Sequence, residues 1–357
     1  MMKRALRKQR RSLNPVVSGM KLLIQNRWCV VLLAFLFRAG FAQEPQPPGS
    51  GAATIRVQTS MVLIDVISRD LKTGLPVREF KKEDFRMFND GKEVPITAFD
   101  TGADTRPVIV WLVVICNEGG KTGGSAEFVG NEAMFRPAFD QLGNRDTLGV
   151  AHWCDNGETQ LDLSPSQDRD RVLSVLAETI KPISFHIGGD SDAVGEVAFR
   201  KLIRTIIQDA NRRNPQPLPV IVFLDGDNTG QPHAKLDQVV DDFLETSGIV
   251  FGIKDSRAPH GPPFLIGEVA QIEHYIAKNT GGEYLVAPPE HYAAALEGIL
   301  LQLHCRYELG FAPPVIDGKR HEIKVELTKE ARKHHKGVRL KFRPEYIAVS
   351  EPPHWAR

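Results

Sequence analysis

VIVWLVVICNEGG (Val108–Gly120) and LPVIVFLDGDNTG (Leu218–Gly230) are the two stretches that decide the fold, since each is an unbroken apolar run that ends abruptly in small and acidic residues. Unbroken Val, Ile and Leu runs are typical of strands covered by helices on both faces. Ligands of such sheets bind beyond the carboxyl ends of the strands. We therefore predict buried parallel strands that open into one crevice.

Between about Pro107 and His304 the sequence alternates between strand-like and helical patterns. Further strand-like runs cover residues 146–154, 248–254 and 283–287, and helical periodicity covers residues 168–180, 193–213, 235–247, 267–282 and 290–303. Strands that alternate with helices indicate a mostly parallel sheet. The predicted fold class is α/β, with a doubly wound, Rossmann-like sheet.

The segments on either side of this region are predicted to be antiparallel β structure. IRVQTSMVLIDVISRD reads as a long strand, and Asn89-Asp90-Gly91 lies between two short strand-like runs, which is a strong hairpin signal. After Cys305 the strand-like runs are RYELGFAP, HEIKVEL and GVRLKFRPEYIA. The two flanks can together form one small β module, like a sandwich that carries an inserted domain.

The first 42 residues differ from the rest. A basic stretch is followed by the apolar run WCVVLLAFLF (Trp28–Phe37) and by Gly40-Phe41-Ala42. This order is typical of a secretory signal peptide, with Met1 or Met20 as the start; an uncleaved membrane anchor is the alternative. The predicted segments are a signal peptide (1–42), a linker (43–53), an N-terminal β segment (54–104), an α/β domain (105–304), a C-terminal β segment (305–348) and a tail (349–357).

Composition excludes a general electrostatic attraction to nucleic acid. Among 357 residues, 45 are Lys or Arg and 44 are Asp or Glu, so the formal net charge is +1. The basic tract TKEARKHHKGVRLKFR (Thr328–Arg343) is predicted to be a solvated hairpin, in which adjacent His334 and His335 would face opposite ways.

The flanks carry a family resemblance. Val62–Asp100, Tyr307–Phe311, His321–Val325 and Arg343–Tyr346 resemble the lead-in and tail of secreted VWFA-related proteins, the acidobacterial type of von Willebrand factor A-type domain protein. The resemblance covers nearly all of the mature chain. It implies an A-type α/β domain framed by β segments and a protein-binding, adhesion-type role.

The resemblance also implies where a metal site would lie. Cation-binding A-type domains carry Asp-x-Ser-x-Ser after the first strand, a later threonine, and an aspartate after the fourth strand. Here the first motif falls on Cys116, Glu118 and Gly120, the threonine position falls near Asp190, and only Asp225 matches. Because Mg²⁺ prefers six hard oxygen ligands, we expect a degenerate site.

A wider set of residues is predicted to surround this crevice. One alternative is that Glu118, Asp190 and Asp225 hold Mg²⁺ or Ca²⁺ weakly in a rearranged site; another is that Asp225 and Asp227 form only a solvated acidic turn. No cofactor is otherwise expected. The predicted ligand-binding crevice comprises Cys116, Asn117, Glu118, Gly120, Asp190, Ser191, Asp225 and Asp227.

Cysteine use allows one disulfide. Without Cys29 of the signal peptide, three cysteines remain, and Cys116 and Cys154 end the two strands that the A-type fold places side by side. A Cys116–Cys154 bond in an oxidising compartment would leave Cys305 unpaired; two reduced, buried thiols are the alternative. An enzyme that uses Cys116 with His152 or His186 is a weaker hypothesis, because acidic neighbours would raise the thiol pKa.

The sequence thus predicts an exported, periplasmic or secreted binding protein that is not an enzyme. Its expected partner is another protein or a component of the cell envelope. Nucleic acid is not expected, and a membrane is expected only through an uncleaved signal segment.

Overall fold

Both apolar runs form central, adjacent strands of a six-stranded sheet. Val108–Cys116 pairs in parallel with Leu218–Leu224, in a register that runs from Val108 opposite Leu218 to Val114 opposite Leu224. All seven residues of Leu218–Leu224 are buried. A strand without an exposed face needs the unbroken apolar sequence that this one has, so the prediction is confirmed.

This computed structural model describes residues 61–116, 132–154, 158–179, 191–224, 236–256, 272–351 and 354–356, all within the unit Val57–Arg357. The predicted signal peptide and linker lie outside the described residues. Within the described ranges, none of the helices combines the length and the apolar character that a membrane crossing requires.

The described elements are fourteen strands and seven α-helices, together with short 3-10 turns. The strands are β1 (Val62–Asp70), β2 (Phe85–Asn89), β3 (Lys92–Val94), β4 (Ala98–Thr101), β5 (Val108–Cys116), β6 (Thr147–Cys154), β7 (Thr159–Ser166), β8 (Leu218–Leu224), β9 (Ile249–Asp255), β10 (Tyr284–Ala287), β11 (Tyr307–Phe311), β12 (Arg320–Leu327), β13 (Val338–Lys341) and β14 (Glu345–Ile347). The helices are α1 (Arg136–Phe139), α2 (Arg169–Thr179), α3 (Ser191–Asn211), α4 (Leu236–Thr246), α5 (Ile272–Thr280), α6 (Tyr292–His304) and α7 (Lys329–His334).

The large sheet has the order β10-β9-β8-β5-β6-β7, and every pair is parallel except the edge pair of β6 and β7. If these six strands are numbered from β5 to β10 as 1 to 6, the order is 6-5-4-1-2-3. This is the doubly wound order, in which strands are first added on one side of strand 1 and then on its other side. The predicted fold class is confirmed.

Helices cover both faces of this sheet. Val110 and Leu112 of β5 pack into the core that α1, α2 and α6 cover, whereas Trp111 and Val113 pack into the core beneath α3, α4 and α5. Successive side chains of a strand point to opposite faces, so each apolar run supplies both cores. Gly149 lies opposite Trp111, and a Cβ there would approach the indole ring to 2.6 Å.

The flanking segments form two further sheets, β13-β1-β11-β4 and β14-β12-β2-β3, each built from both ends of the chain. They share one core that includes Ile64, Phe85, Tyr307 and Val325. The hairpin turn is at Asp90 and Gly91, whose φ angles are 47° and 75°, the positive values that a tight two-residue turn requires. The expectation that both flanks build one β module is confirmed.

The structure corrects two predictions in this module. The tract predicted as a hairpin begins with helix α7, which Thr328 caps by accepting a hydrogen bond from the backbone N–H of Ala331 at 3.3 Å. His334 is therefore the last residue of a helix and does not lie on a strand. The run GVRLKFRPEYIA forms two strands, β13 and β14, which are separated at Pro344 because proline cannot donate to a ladder.

Buried charges join the β module to the large sheet. Arg306 Nε donates to Asp65 Oδ1 at 2.8 Å, and Arg106 donates to both Asp65 Oδ2 and Glu308 Oε2 at 2.7 Å. Burial by itself raises the pKa of Asp65, but Arg106 and Arg306 outweigh it and lower the net pKa. Burial raises the pKa of Glu308, against the opposing effect of Arg106. We call Asp65, Arg106, Arg306 and Glu308 the junction cluster.

Candidate functional site

The carboxyl ends of β5, β6 and β8 lie together at one edge of the large sheet. Cys116 at the end of β5 is the register partner of Cys154 at the end of β6, and Val114 is the partner of Leu224 at the end of β8. The segment after β5 and the segment after β8 therefore leave the sheet from neighbouring strands. This is the edge at which ligands of doubly wound sheets bind.

Most of the predicted crevice residues lie beyond these strand ends. Asn117, Glu118, Gly120, Asp190, Asp225 and Asp227 are outside the described residues, so the crevice and the Glu118, Asp190 and Asp225 metal set stay predictions. The backbone of Cys116 is described as the end of β5, and that of Ser191 as the start of α3. Among the described residues there is no group of three His, Cys, Asp or Glu side chains that could hold a metal ion.

The register bears on the predicted disulfide. Adjacent strands lie about 4.8 Å apart, and a disulfide tolerates roughly 4.4 to 6.8 Å between α-carbons. Because Cys116 and Cys154 are direct partners, the backbone has the spacing that a Cys116–Cys154 bond needs. The bond itself stays a prediction.

Cys305, by contrast, is a buried free thiol in the β module. Arg78 Nε donates to its sulfur at 2.9 Å. Burial raises the pKa of Cys305 despite this guanidinium, so the thiol is poorly nucleophilic near neutral pH.

A histidine and an aspartate pair two residues before the end of β6. His152 Nδ1 lies 3.0 and 3.1 Å from the two carboxylate oxygens of Asp162 on β7, and His152 is only 7% exposed. The hydrogen bond with Asp162 raises the pKa of His152, whereas burial opposes this. Nε2 is buried and has no hydrogen-bond partner among the described residues.

This pair can perform acid–base chemistry or bind a ligand. A carboxylate on Nδ1 fixes the ring orientation and leaves Nε2 to accept or deliver a proton, or to contact a bound group. Asp162 was not predicted from the sequence. The polar residues Gln160 and Asp162 of TQLDLS alternate with Leu161 and Leu163, and this half-buried strand pattern was the signal that could have revealed it.

Comparison with known proteins gives a result only at the level of structure. No family model matches the chain, and no curated protein matches it. A solved von Willebrand factor type A protein from Catenulispora acidiphila has 10% sequence identity and a TM-score of 0.39, over 82% of this chain and 74% of that one. The chain is similar to von Willebrand factor type A structures.

Two further similar structures come from Bacteroides. An aerotolerance-related membrane protein of Bacteroides fragilis has 12% identity and a TM-score of 0.35, over 54% of this chain and 98% of that one. The conserved hypothetical protein BatB of Bacteroides thetaiotaomicron has 13% identity and a TM-score of 0.36, over 55% of this chain and 97% of that one. At these TM-scores we draw nothing about function from the likeness, and the fold assignment rests on the strand order and pairing described above.

Proposed function

We propose that this chain is an exported, non-catalytic protein-binding module whose ligand crevice lies at the carboxyl edge of the large sheet and whose metal site is degenerate. The observation that carries the proposal is the adjacency of β5 and β8, the strands that are followed in the sequence by Asn117–Gly120 and by Asp225. Binding sites on such sheets are built from these strand-end segments. The partner is another protein or a component of the cell envelope.

The chemistry of the segment after β5 supports weak metal binding. A thiol is a soft ligand that Mg²⁺ does not favour, and Gly120 has no side chain to donate an oxygen. Two of the three positions that correspond to Asp-x-Ser-x-Ser therefore supply no hard oxygen. A partner would have to bind this crevice mainly by direct contacts rather than through a shared cation.

Calorimetry with Mg²⁺ and Ca²⁺ tests the degenerate site. For protein that begins at Gln43 we expect no binding tighter than about millimolar, the range of weak modular sites. The variants Asp225→Ala and, as a matched control with an exposed aspartate elsewhere, Asp100→Ala should behave like the parent protein. Micromolar binding that only Asp225→Ala abolishes would contradict the proposal and favour the rearranged site of Glu118, Asp190 and Asp225.

Capture from an envelope extract tests the crevice. We expect the same partner to be retained by the parent protein and by a Glu79→Arg/Asp100→Arg control, and to be lost with Glu118→Arg/Asp225→Arg, because two charges at the crevice are reversed. Equal capture by both variants would exclude the crevice as the binding site.

Terminal sequencing of protein from the native envelope tests export. It should find Gln43 as the first residue, and an intact Met1 or Met20 start would contradict export by a cleaved signal.

One observation favours a second candidate, an enzyme that uses Cys116. His152 is held by Asp162 and keeps Nε2 free among the described residues, and a base oriented by a carboxylate is what an activated thiol needs. The rate of Cys116 alkylation against pH separates the candidates. For a binding module we expect an ordinary thiol, with a pKa of about 8.5 or higher, and no change in His152→Asn. A thiolate below pH 7 that His152→Asn abolishes would favour the enzyme.

A further inference from the structure

A cavity of about 520 Å³ lies at the opposite edge of the large sheet from the crevice. Gly281, Gly282 and Glu283, which precede β10, form part of its lining, so it opens at the amino end of that strand. Other walls come from β1 and β13 of the β module and from α5 and α6. Its volume falls within the roughly 300 to 1,000 Å³ of sites for small molecules.

The lining of this cavity is strongly cationic. It contains one carboxylate, that of Glu283, and four cations, Arg69, Lys278, Arg339 and Lys341. Glu283 pairs with Lys341 at 3.2 Å and with Arg69 at 3.4 Å. Among the described residues, Lys278 and Arg339 have no ion-pair partner. The cavity therefore carries a surplus of positive charge that an anion would neutralise.

A polar side chain in the lining supplies a second observation. Gln302 of α6 lines the cavity and is only 6% exposed. Its side chain makes no hydrogen bond with the described residues. The Gln302 amide is therefore available to a ligand atom in the cavity.

The remaining walls are apolar and aromatic. Ile67, Leu340 and Phe342 contribute apolar surface. The rings of His274 and Tyr284 are stacked, with their centroids 5.7 Å apart and their planes 4° from parallel. A site that combines a few polar groups with apolar walls suits an organic molecule better than a bare inorganic ion.

We propose that this cavity binds a small organic molecule through an oxyanion group, either a carboxylate or a phosphate. Lys278, Arg339 and Lys341 attract the charge, and the amide N–H of Gln302 donates a hydrogen bond to the anion. This site goes beyond the proposed function, since it lies at the other edge of the sheet and uses none of the crevice residues.

Calorimetry at constant ionic strength tests this site, with citrate as the carboxylate probe and glycerol 3-phosphate as the phosphate probe. We expect saturable one-site binding of at least one probe, and the preferred probe identifies the class of anion. Lys278→Ala/Arg339→Ala should bind about ten-fold more weakly or worse, as expected for the loss of two charge-assisted contacts. The control Lys82→Ala/Lys92→Ala removes two exposed cations that lie just before β2 and at the start of β3, outside the cavity lining, and should bind like the parent.

Gln302→Leu separates a ligand contact from a structural one. The substitution preserves the approximate volume and removes a polar group that has no partner among the described residues, so the melting temperature should stay the same or rise while affinity falls by a factor of about five. Absence of saturable binding of both probes to the parent protein would overturn the proposal. So would equal affinities of the parent and Lys278→Ala/Arg339→Ala.

Discussion

The centre of the large sheet and the junction cluster are both buried, but they are stabilised by opposite chemistry. Strands β5 and β8 are apolar throughout their described length, and their neighbours on both faces are apolar too. At the junction, Asp65, Arg306 and Glu308 are buried beside a half-buried Arg106, and Arg306 is only 2% exposed. The sheet gains stability from apolar surface that is removed from water. The stability of the junction cluster depends on each charged side chain having a partner of opposite charge.

This difference teaches where the fold is tolerant of change. An apolar core accepts volume-conserving exchanges at a modest cost, whereas removing one member of a buried ion pair leaves the other charged and desolvated. We therefore expect the largest losses of stability at the junction cluster, and smaller, shape-dependent losses in the sheet.

Replacing Arg306 by Met should give the largest effect. The substitution removes the 2.8 Å bond to Asp65, so that the two buried carboxylates of Asp65 and Glu308 share Arg106 as their remaining partner, and we expect a loss of about 3 to 5 kcal/mol in the free energy of unfolding. Arg320→Met is the matched control, because Arg320 also contacts several carboxylates but at the surface, where such pairs contribute about 0 to 1 kcal/mol. Urea denaturation measures both; equal losses would show that burial does not decide the outcome.

The cysteine pair at the strand ends should come next. If exported protein contains the Cys116–Cys154 bond, Cys116→Ser/Cys154→Ser should lose about 2 to 4 kcal/mol of stability under oxidising conditions. Under reducing conditions the difference should largely disappear. Peptide mapping without reductant provides the direct measurement, and free labelling of both cysteines after unfolding would contradict the bond.

Overfilling the sheet should give a smaller effect than breaking the junction. In Gly149→Ala the new methyl group would lie 2.6 Å from the Trp111 ring, so we expect a loss of about 1 to 3 kcal/mol. Gly298→Ala provides the contrast: apart from the adjacent residues and the nearby backbone of α6 itself, no atom lies within 4 Å of a Cβ at this position. Alanine is the better helix former, and the gain should be about 0.5 to 1 kcal/mol. Thermal melts that rank the two variants in the reverse order would contradict this reading of the packing.

The smallest predicted effect is a pH dependence in the β module. His321 Nδ1 lies 2.8 Å from Asp90 and Nε2 lies 3.0 Å from Asp317, and these two bonds raise the pKa of His321. Its stabilisation is therefore complete below the unfolded-state pKa of about 6.5 and is lost as the pH rises through the raised folded-state pKa.

The difference in the free energy of unfolding between the parent protein and His321→Gln should be largest at about pH 5.5 and smallest at about pH 8.5. In an Asp90→Asn/Asp317→Asn background this dependence should disappear, because the partners that raise the pKa are gone. A difference that grows with increasing pH would have the wrong sign.

Some elements were predictable because their signals are local. Asp90 and Gly91 have the positive φ angles that the Asn-Asp-Gly sequence predicts, and β5 and β8 follow from their unbroken apolar runs. Strand β7 was missed, since TQLDLS is short and has exposed polar positions typical of an edge. Helix α7 was missed because its signal, Thr328 before an acidic first turn, was outweighed by the surrounding basic tract.

The candidate sites were predictable only in part. The carboxyl ends of β5 and β8 could be predicted to lie together, as they do, whereas the crevice formed by the residues after them stays a prediction. The alternation in TQLDLS could have indicated a strand, but neither the pairing of its Asp162 with His152 nor the cationic cavity could be derived in this way. Both depend on which segments the topology brings into contact, and neither has a motif of its own.

The sequence by itself determined most of the strand and helix pattern, the two-sided burial of the central strands and the hairpin turn, because hydrophobic periodicity and turn chemistry act over a few residues. Only the tertiary structure decided that Arg306 neutralises Asp65, 241 positions away in the chain, and that cations of both chain ends surround one cavity. The physical reason is that no repeating pattern in the sequence indicates which residue a charged side chain will pair with. Its energy depends on distance and burial, and these exist only once the chain has folded.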